Sequence, residues 1–193
     1  AVAWSPLANE YLVVWQDGRN GQQDIYGRRV SPGGFVLGGD FKVTGPGGGA
    51  SDEWAPAVVW NGTANEYLVV WQDARNSASR GWDVYGQRLS TAGAPTGGNF
   101  RISSPAATFD DTNPAVSWNG TDNQYLVVWE DARAVGTRGV DAYGRRLSAA
   151  GVAQGADFRI SGPDATSDDW TPAVAWNGAV DQYLVVWRDD RHS

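Results

Sequence analysis

Pairs of acidic residues recur in this sequence, each directly before a short apolar segment. Clustered carboxylates together with backbone carbonyls are the oxygen ligands that Ca²⁺ takes in proteins. The spacing matches no EF-hand loop or Gly-Asp-rich nonapeptide, so the pairs indicate either a calcium site or turn residues that cap hydrogen bonds. The pairs are Asp52 and Glu53, Asp110 and Asp111, and Asp168 and Asp169.

Arginines recur with the same regularity, in an Asp-x-Arg pattern that follows the most apolar segment of each copy. A guanidinium binds carboxylates or sulfates through paired hydrogen bonds, so a ring of arginines would recognise an anionic ligand. Every copy carries the pattern, which equally favours a charge-assisted bond that fixes the loop. The candidate ligand-binding arginines are Arg75, Arg133 and Arg191.

Four aromatic residues beside these charges differ between the copies, so the repeat itself does not require them. Trp54 and Trp170 follow acidic pairs where the intervening copy has Thr112. Trp82 precedes a recurring Asp, and Phe109 precedes an acidic pair. An aromatic ring beside carboxylates and Arg is suited to stacking on a sugar, and it is equally suited to covering the end of a sheet.

Composition excludes several classes of function. The 193 residues include no Cys and one His, His192, so thiol chemistry, Cys-based zinc sites and most His-dependent catalysis are absent. A net charge of −7 argues against a nucleic-acid partner. No apolar run is long enough for membrane insertion. No catalytic residue is assigned, although a glycosidase with two carboxylates stays open because acidic residues are plentiful.

The elements that position these residues are repeated strands. Tyr-Leu-Val-Val-Trp ends at Trp15, Trp71, Trp129 and Trp187, in steps of 56, 58 and 58 residues. Three further segments keep the same order: one ending in a second Trp, Asp-x-Tyr-Gly-x-Arg, and Phe-x-(Ile/Val)-(Ser/Thr). All are short, rich in Val, Tyr and Trp, and bounded by Gly, Pro, Asn and Asp, which is typical of strands. We label them A, B, C and D in chain order.

Strand B is apolar on both faces, so it must be covered on both sides. Blades stacked around an axis satisfy that requirement. We therefore predict an all-β, β-propeller-like fold of four-stranded antiparallel blades, with about three and a half repeats of 56–58 residues in one domain, 1–193. The predicted blades are 1–50, 51–108 and 109–166, followed by a half blade, 167–193. The repeated Trp residues are predicted to form the core.

Three and a half blades leave an apolar face and a strand edge open, so we expect self-association or further blades from a longer chain. A compact ring of four positions and a ring built from two chains are the other arrangements. In a propeller the D–A and B–C connections emerge at one end, which we call the loop face. The acidic pairs and the Asp-x-Arg loops should meet there.

The pattern Tyr-Leu-Val-Val-Trp-x-Asp-x-Arg followed by Asp-x-Tyr-Gly-x-Arg resembles repeats of large exported or surface proteins of bacteria, and it covers essentially the whole chain. The resemblance implies a propeller-like fold and a secreted or cell-surface location, and it implies no catalytic residues. The expected function is a non-catalytic module that binds carbohydrate through the loop aromatics. The alternatives are a structural or adhesive repeat protein and, third, a glycoside hydrolase or sialidase-like enzyme.

Overall fold

The structure, a computed structural model, describes residues 1–45, 51–104, 108–162 and 167–190. Three four-stranded antiparallel sheets and one two-stranded sheet follow each other along the chain, which confirms the predicted blades and their strand order. Blade 1 holds β1 (Val2–Ser5), β2 (Glu10–Asp17), β3 (Asp24–Val30) and β4 (Val36–Lys42). Blade 2 holds β5 (Glu53–Asn61), β6 (Glu66–Asp73), β7 (Asp83–Ser90) and β8 (Pro95–Arg101). Blade 3 holds β9 (Asp111–Asn119), β10 (Gln124–Asp131), β11 (Asp141–Ser148) and β12 (Phe158–Arg159), and half blade 4 holds β13 (Asp169–Asn177) and β14 (Gln182–Asp189).

The core lies between the blades. Leu12 and Val14 form one face of β2. They pack against the face of β6 that carries Tyr67, Val69 and Trp71. The next junction repeats this arrangement: Leu68 and Val70 face Tyr125, Val127 and Trp129. Each second strand therefore buries one apolar face against the blade before it and the other against the blade after it. This explains why the strand carries no polar residue in its centre.

The first strands of the blades lie next to one another, with β1 beside β5, β5 beside β9 and β9 beside β13. This places them innermost, as in a propeller. Trp71 and Trp129, on second strands, are fully buried as predicted. The Trp residues of the first strands are only partly buried, and Trp4 is 37% exposed. Trp60 and Trp118 nevertheless pack against the two core clusters, so the core prediction holds in part for the first strands and fails for Trp4.

Among the described residues, two sheet faces have no blade packed against them. At one end, Leu184 and Val186 of β14 are 65% and 53% exposed, whereas the equivalent Leu68 and Val70 are fully buried. At the other end, Tyr11 of β2 is 37% exposed, whereas the equivalent Tyr67 is fully buried. The described blades thus form an arc with two complementary open faces.

Two local features differ from the sequence prediction. In blades 1 and 2 the fourth strands begin before the predicted Phe-x-(Ile/Val)-(Ser/Thr) segment, at Val36 and Pro95, and the pairing of β8 with β7 shifts between Gly86 and Arg88. A one-turn helix, α1 (Ser77–Arg80), lies in the B–C loop of blade 2 and ends at Gly81, whose φ of 78° is left-handed. No helix in the described ranges has the length and apolar character needed to cross a membrane.

We predict that Gly86→Ala destabilises the protein by about 1–3 kcal/mol. A Cβ there would lie 2.9 Å from the Ile102 Cδ1 atom, which is in the core between blades 2 and 3. Urea unfolding measures the effect. Ile102→Val removes the clashing atom, so the double variant should lose less stability than the two single losses combined. The control is Gly98→Ala, where a Cβ meets no atom within 4 Å. Equal losses at positions 86 and 98 would contradict the packing described here.

Candidate functional site

The loop face brings the D–A and B–C connections together, as expected. At each junction, the first member of an acidic pair accepts a hydrogen bond from a backbone N–H of the preceding blade. Asp52 Oδ1 binds Gln23 N at 3.0 Å, Asp110 Oδ1 binds Trp82 N at 2.9 Å, and Asp168 Oδ1 binds Val140 N at 2.8 Å. These first members therefore act as hydrogen-bond caps between blades, which was one of the two functions the sequence allowed.

The second members of the pairs, Glu53, Asp111 and Asp169, begin the first strands and are fully buried. Burial raises the pKa of Glu53 to about 8, and the nearby charge of Asp73 raises it further in the same direction. Burial and the carboxylate of Asp131 likewise raise the pKa of Asp111 to about 8. Both carboxyl groups are consequently held mainly in the neutral, protonated form at neutral pH.

The carboxylates of the acidic pairs make different contacts and do not converge on one position. Within the described ranges, no three acidic or His side chains are grouped so that they could hold a metal ion. The calcium prediction therefore gains no support at these residues.

The arginines of the Asp-x-Arg loops are engaged by the protein itself. Arg75 donates to Asp73 at 2.6 and 2.9 Å and to Asn99 at 3.1 Å, and its guanidinium lies 3.9 Å from the centre of the Tyr85 ring. In blade 3, Arg133 is bound in the same way by Asp131 and lies over Tyr143. These contacts use most of the donors that an anionic ligand would need. Arg191 lies outside the described residues.

The four candidate aromatics are distributed over blade 2, the start of blade 3 and half blade 4. Trp82 donates its backbone N–H to Asp110 at 2.9 Å, and Phe109 lies beside Gly81, where an added Cβ would lie 2.9 Å from the Phe109 carbonyl carbon. Trp54 pairs with Gln72 within blade 2, while Trp170 pairs with Arg188 on the open face of half blade 4. Trp54 and Phe109 are 38% and 44% exposed, whereas Trp82 and Trp170 are half-buried.

A feature that the sequence reasoning missed lies at the loop-face end of the inner strands. Ala55, Asn113 and Thr171 have left-handed backbones, with φ of 51°, 48° and 48°, and each precedes a proline. Non-glycine residues in this region are strained, and such strain concentrates at functional sites. We call these three the bulge residues, because the strand pairing shifts beside them.

Each bulge residue donates its backbone N–H to a side chain on the second strand of the preceding blade. Ala55 N binds Gln16 Oε1 at 3.3 Å, and Asn113 N binds Gln72 Oε1 at 3.0 Å. In the third junction the acceptor is a carboxylate, since Thr171 N binds Glu130 Oε1 at 2.6 Å. Among the inter-blade acceptors at the described junctions, Glu130 therefore differs in charge from its two counterparts.

Glu130 has two further partners within its own blade. Its Oε2 atom accepts from Thr112 Oγ1 at 3.0 Å and from Asn113 Nδ2 at 2.8 Å. Glu130 is 2% exposed, but its hydrogen-bond partner Asn113 is exposed to solvent. The carboxylate therefore lies directly beneath a solvent-exposed side chain. The signal for this site was present in the sequence. The residue between Trp and Asp reads Gln16, Gln72, Glu130 and Arg188 in the four copies.

Solved structures of glycosidases share this fold. The α-L-arabinanase of Penicillium chrysogenum, complexed with arabinobiose, has a TM-score of 0.64 and 18% identity over 92% of this chain and 53% of its own. The α-L-arabinofuranosidase of Fusarium graminearum has a TM-score of 0.65 and 14% identity over the same shares. A thermostable family-43 glycoside hydrolase has a TM-score of 0.57 and 10% identity over 94% of this chain and 62% of its own. The chain thus spans between half and two thirds of the length of these neighbours, and no family model and no curated protein matches it.

These neighbours support the predicted propeller-like fold and relate it to carbohydrate-active proteins. They contradict the first expectation for function, a non-catalytic carbohydrate-binding module, because the solved propellers that resemble the chain are glycoside hydrolases. The dispersed aromatics and the engaged arginines agree with that correction. At identities below 25%, the likeness establishes the fold.

We predict that Glu53→Gln flattens the pH dependence of stability between about pH 4.5 and pH 8. In the unfolded chain Glu53 ionises near pH 4.5, whereas the folded protein keeps it protonated up to about pH 8. The stability of the wild-type protein should therefore fall as the pH rises through this window and level off above it. Glutamine has no proton to lose, so the variant lacks this part of the slope.

Urea unfolding at several pH values measures the two slopes. Asp111→Asn should flatten the slope in the same direction, because burial also raises the pKa of Asp111 to about 8. If Glu53→Gln, Asp111→Asn and the wild-type protein showed the same slope, the protonated state assigned to these residues would be wrong.

Proposed function

We propose that the protein is a glycoside hydrolase of the propeller type that acts on arabinose-containing glycans, with Glu130 as a catalytic carboxylate. The substrate class is taken from the neighbours that act on arabinose-containing substrates, and it is a proposal for this chain. The observation that carries the proposal is the position of Glu130. It is an acid at the loop-face end of blade 3, where blades 1 and 2 have an amide, Gln16 and Gln72.

A repeated residue is explained by the blade, whereas a residue that departs from the repeat needs a local reason. Gln72 already supplies the inter-blade hydrogen bond at 3.0 Å, so the structural task does not require a carboxylate. Replacing an amide by an acid beside other buried acids also raises the cost of desolvation. Glu130 therefore carries a charge that the fold does not need, and three donors hold it in one orientation.

Hydrolysis of a glycoside generally uses two carboxyl groups, one protonated to serve as acid and one ionised to serve as base or nucleophile. Asp111 does not supply the second carboxyl group, because it lies opposite Asp131 on the other side of the sheet from Glu130 and is fully buried against Trp129. Glu53 and Asp169 occupy the same position of the repeat, so the blade accounts for this acid. We assign the base or nucleophile function to Glu130.

The secreted or cell-surface location inferred from the sequence belongs to this proposal. A polymeric glycan does not cross a membrane, so an enzyme that acts on it works outside the cell or at its surface. The resemblance of the repeats to those of exported bacterial proteins agrees with that location.

The test is release of reducing sugar from arabinan and from arabinose oligosaccharides by the 193-residue chain. We predict that Glu130→Gln lowers the rate by at least about a hundredfold, since loss of a catalytic acid or base typically costs two to four orders of magnitude. Its thermal midpoint should fall only modestly: the amide oxygen keeps the inter-blade bond, as in Gln72, while the NH2 group replaces Oε2, which accepts from Thr112 and Asn113.

The matched control is Glu66→Gln. Glu66 begins β6 at the opposite end of blade 2 and pairs with Arg88 at 3.0 Å, so its loss should leave the rate unchanged. Absence of sugar release by the wild-type chain would overturn the proposed activity. Full activity of Glu130→Gln would retain a hydrolase but exclude Glu130 from its chemistry.

A further inference from the structure

Three residues at the loop-face end of blade 3 depart from the repeat together: Glu130, Thr112 and Asn113. The counterparts of Thr112 in the neighbouring blades are tryptophans, and the counterparts of Asn113 are Ala55 and Thr171, which carry no side-chain amide. Thr112 Oγ1 and Asn113 Nδ2 both donate to Glu130 Oε2, at 3.0 and 2.8 Å. Departures that occur together and are bonded to one another indicate one local function, because the other blades are built without them.

Asn113 is held from two sides by second-strand residues of two blades. Its backbone N–H donates to Gln72 Oε1 of blade 2 at 3.0 Å, and its Nδ2 atom donates to Glu130 of blade 3. An ionised carboxylate only accepts hydrogen bonds, so the NH2 group of the amide faces Glu130 and the Oδ1 atom is directed away from it. Asn113 is exposed, and no residue of the described ranges donates to Oδ1. The loop face thus offers one oriented acceptor beside the carboxylate.

An exposed aromatic ring lies on the same side of this junction. Trp54 lies opposite Gln72 in the pairing of β5 with β6, so the two side chains share one face of blade 2. That face is turned to blade 3, because Leu68 and Val70 of the same face lie in the core cluster shared with blade 3. Trp54 is 38% exposed. Gln72 therefore connects the ring of blade 2 to the amide of blade 3.

A ring and an oriented acceptor beside a carboxylate are complementary to a neutral sugar. One face of a sugar presents C–H groups that pack on an aromatic ring, and its hydroxyls donate to an amide oxygen. An anionic ligand would be repelled by Glu130, and a wholly apolar ligand would leave Oδ1 without a donor. The chemistry of the three groups therefore selects a neutral polyhydroxylated ligand.

We propose that Trp54 and Asn113 form a sugar subsite beside Glu130. In this subsite Asn113 Oδ1 accepts a hydrogen bond from a hydroxyl of the sugar, and the Trp54 ring packs against its face. Gln72 acts as a positioning residue, since it fixes the backbone of Asn113. The inference rests on the proposed function, because it names the residues that hold the substrate at the same site.

The test measures binding separately from hydrolysis. The ligand is an arabinotriose with sulfur in place of its glycosidic oxygens, a linkage that resists cleavage, and it is titrated into the 193-residue chain by isothermal titration calorimetry. Asn113→Gly should weaken binding about three- to tenfold, the loss expected for one hydrogen bond. Glycine adopts the φ of 48° at this position freely, so the backbone is kept.

The matched control is Ala55→Gly, which makes the same backbone change at the equivalent position of blade 2, where φ is 51°. It should leave the affinity unchanged. Trp54→Ala should weaken binding at least about tenfold, and Trp54→Phe should recover most of that loss because a ring is retained. Circular dichroism and thermal unfolding verify that each variant keeps the fold.

Release of sugar from arabinan is measured on the same variants, so the subsite and the hydrolase fail separately. Binding that depends on Asn113 and Trp54 without any release of sugar would retain the subsite and exclude the hydrolase. Release of sugar with unchanged affinity and KM in Asn113→Gly and Trp54→Ala would overturn the subsite and retain the hydrolase. A loss confined to kcat in Asn113→Gly would also overturn it, because Asn113 would then act only through Glu130. So would the absence of saturable binding by the wild-type chain.

Discussion

Burial of both faces of the second strand in each blade is the constraint on which the rest of the structure depends. Tyr-Leu-Val-Val-Trp presents Leu and Val on one side and Tyr, Val and Trp on the other, and each side is covered by a different blade. A single blade leaves both faces in water, so no blade is stable without neighbours. The stacking of blades, rather than the pairing of strands within one blade, therefore provides most of the hydrophobic stabilisation.

The polar groups at the loop face follow from that stacking. Packing of two apolar faces does not by itself fix how one blade is aligned with the next. The hydrogen bonds of Asp52, Asp110 and Asp168 do, because each joins one backbone position to a neighbouring blade. The buried second acids stay protonated because the same close packing removes water from them. Charge at this face is thus used first for the assembly of blades. Only residues that depart from the repeat, Glu130 above all, are left for chemistry.

The sequence was sufficient for the fold because every level of it repeats. The first two strands and their apolar pattern are visible in four copies, the last two strands are visible in three, and the structure confirms the strands and their order. The site was harder to predict because its residues are defined by contacts between blades. Nothing in the sequence shows that Thr171 N meets Glu130, or that Arg75 is already held by Asp73 and Tyr85. The loop aromatics were chosen for their residue type. The difference that identifies the candidate site is the change from Gln72 to Glu130 at one position of the repeat.

That same position limits how the repeat can continue. Gln16, Gln72 and Glu130 all offer an oxygen to the backbone N–H of the next blade. Arg188 stands at the fourth copy and has only donors, which it directs to Asp190 at 3.1 Å. A blade with a bulge residue like those of blades 2 to 4 would bring an N–H against this guanidinium, and that N–H would lack the side-chain acceptor found at the other three junctions. At Arg188 the repeat therefore lacks the side-chain acceptor that joins one blade to the next at the three junctions before it.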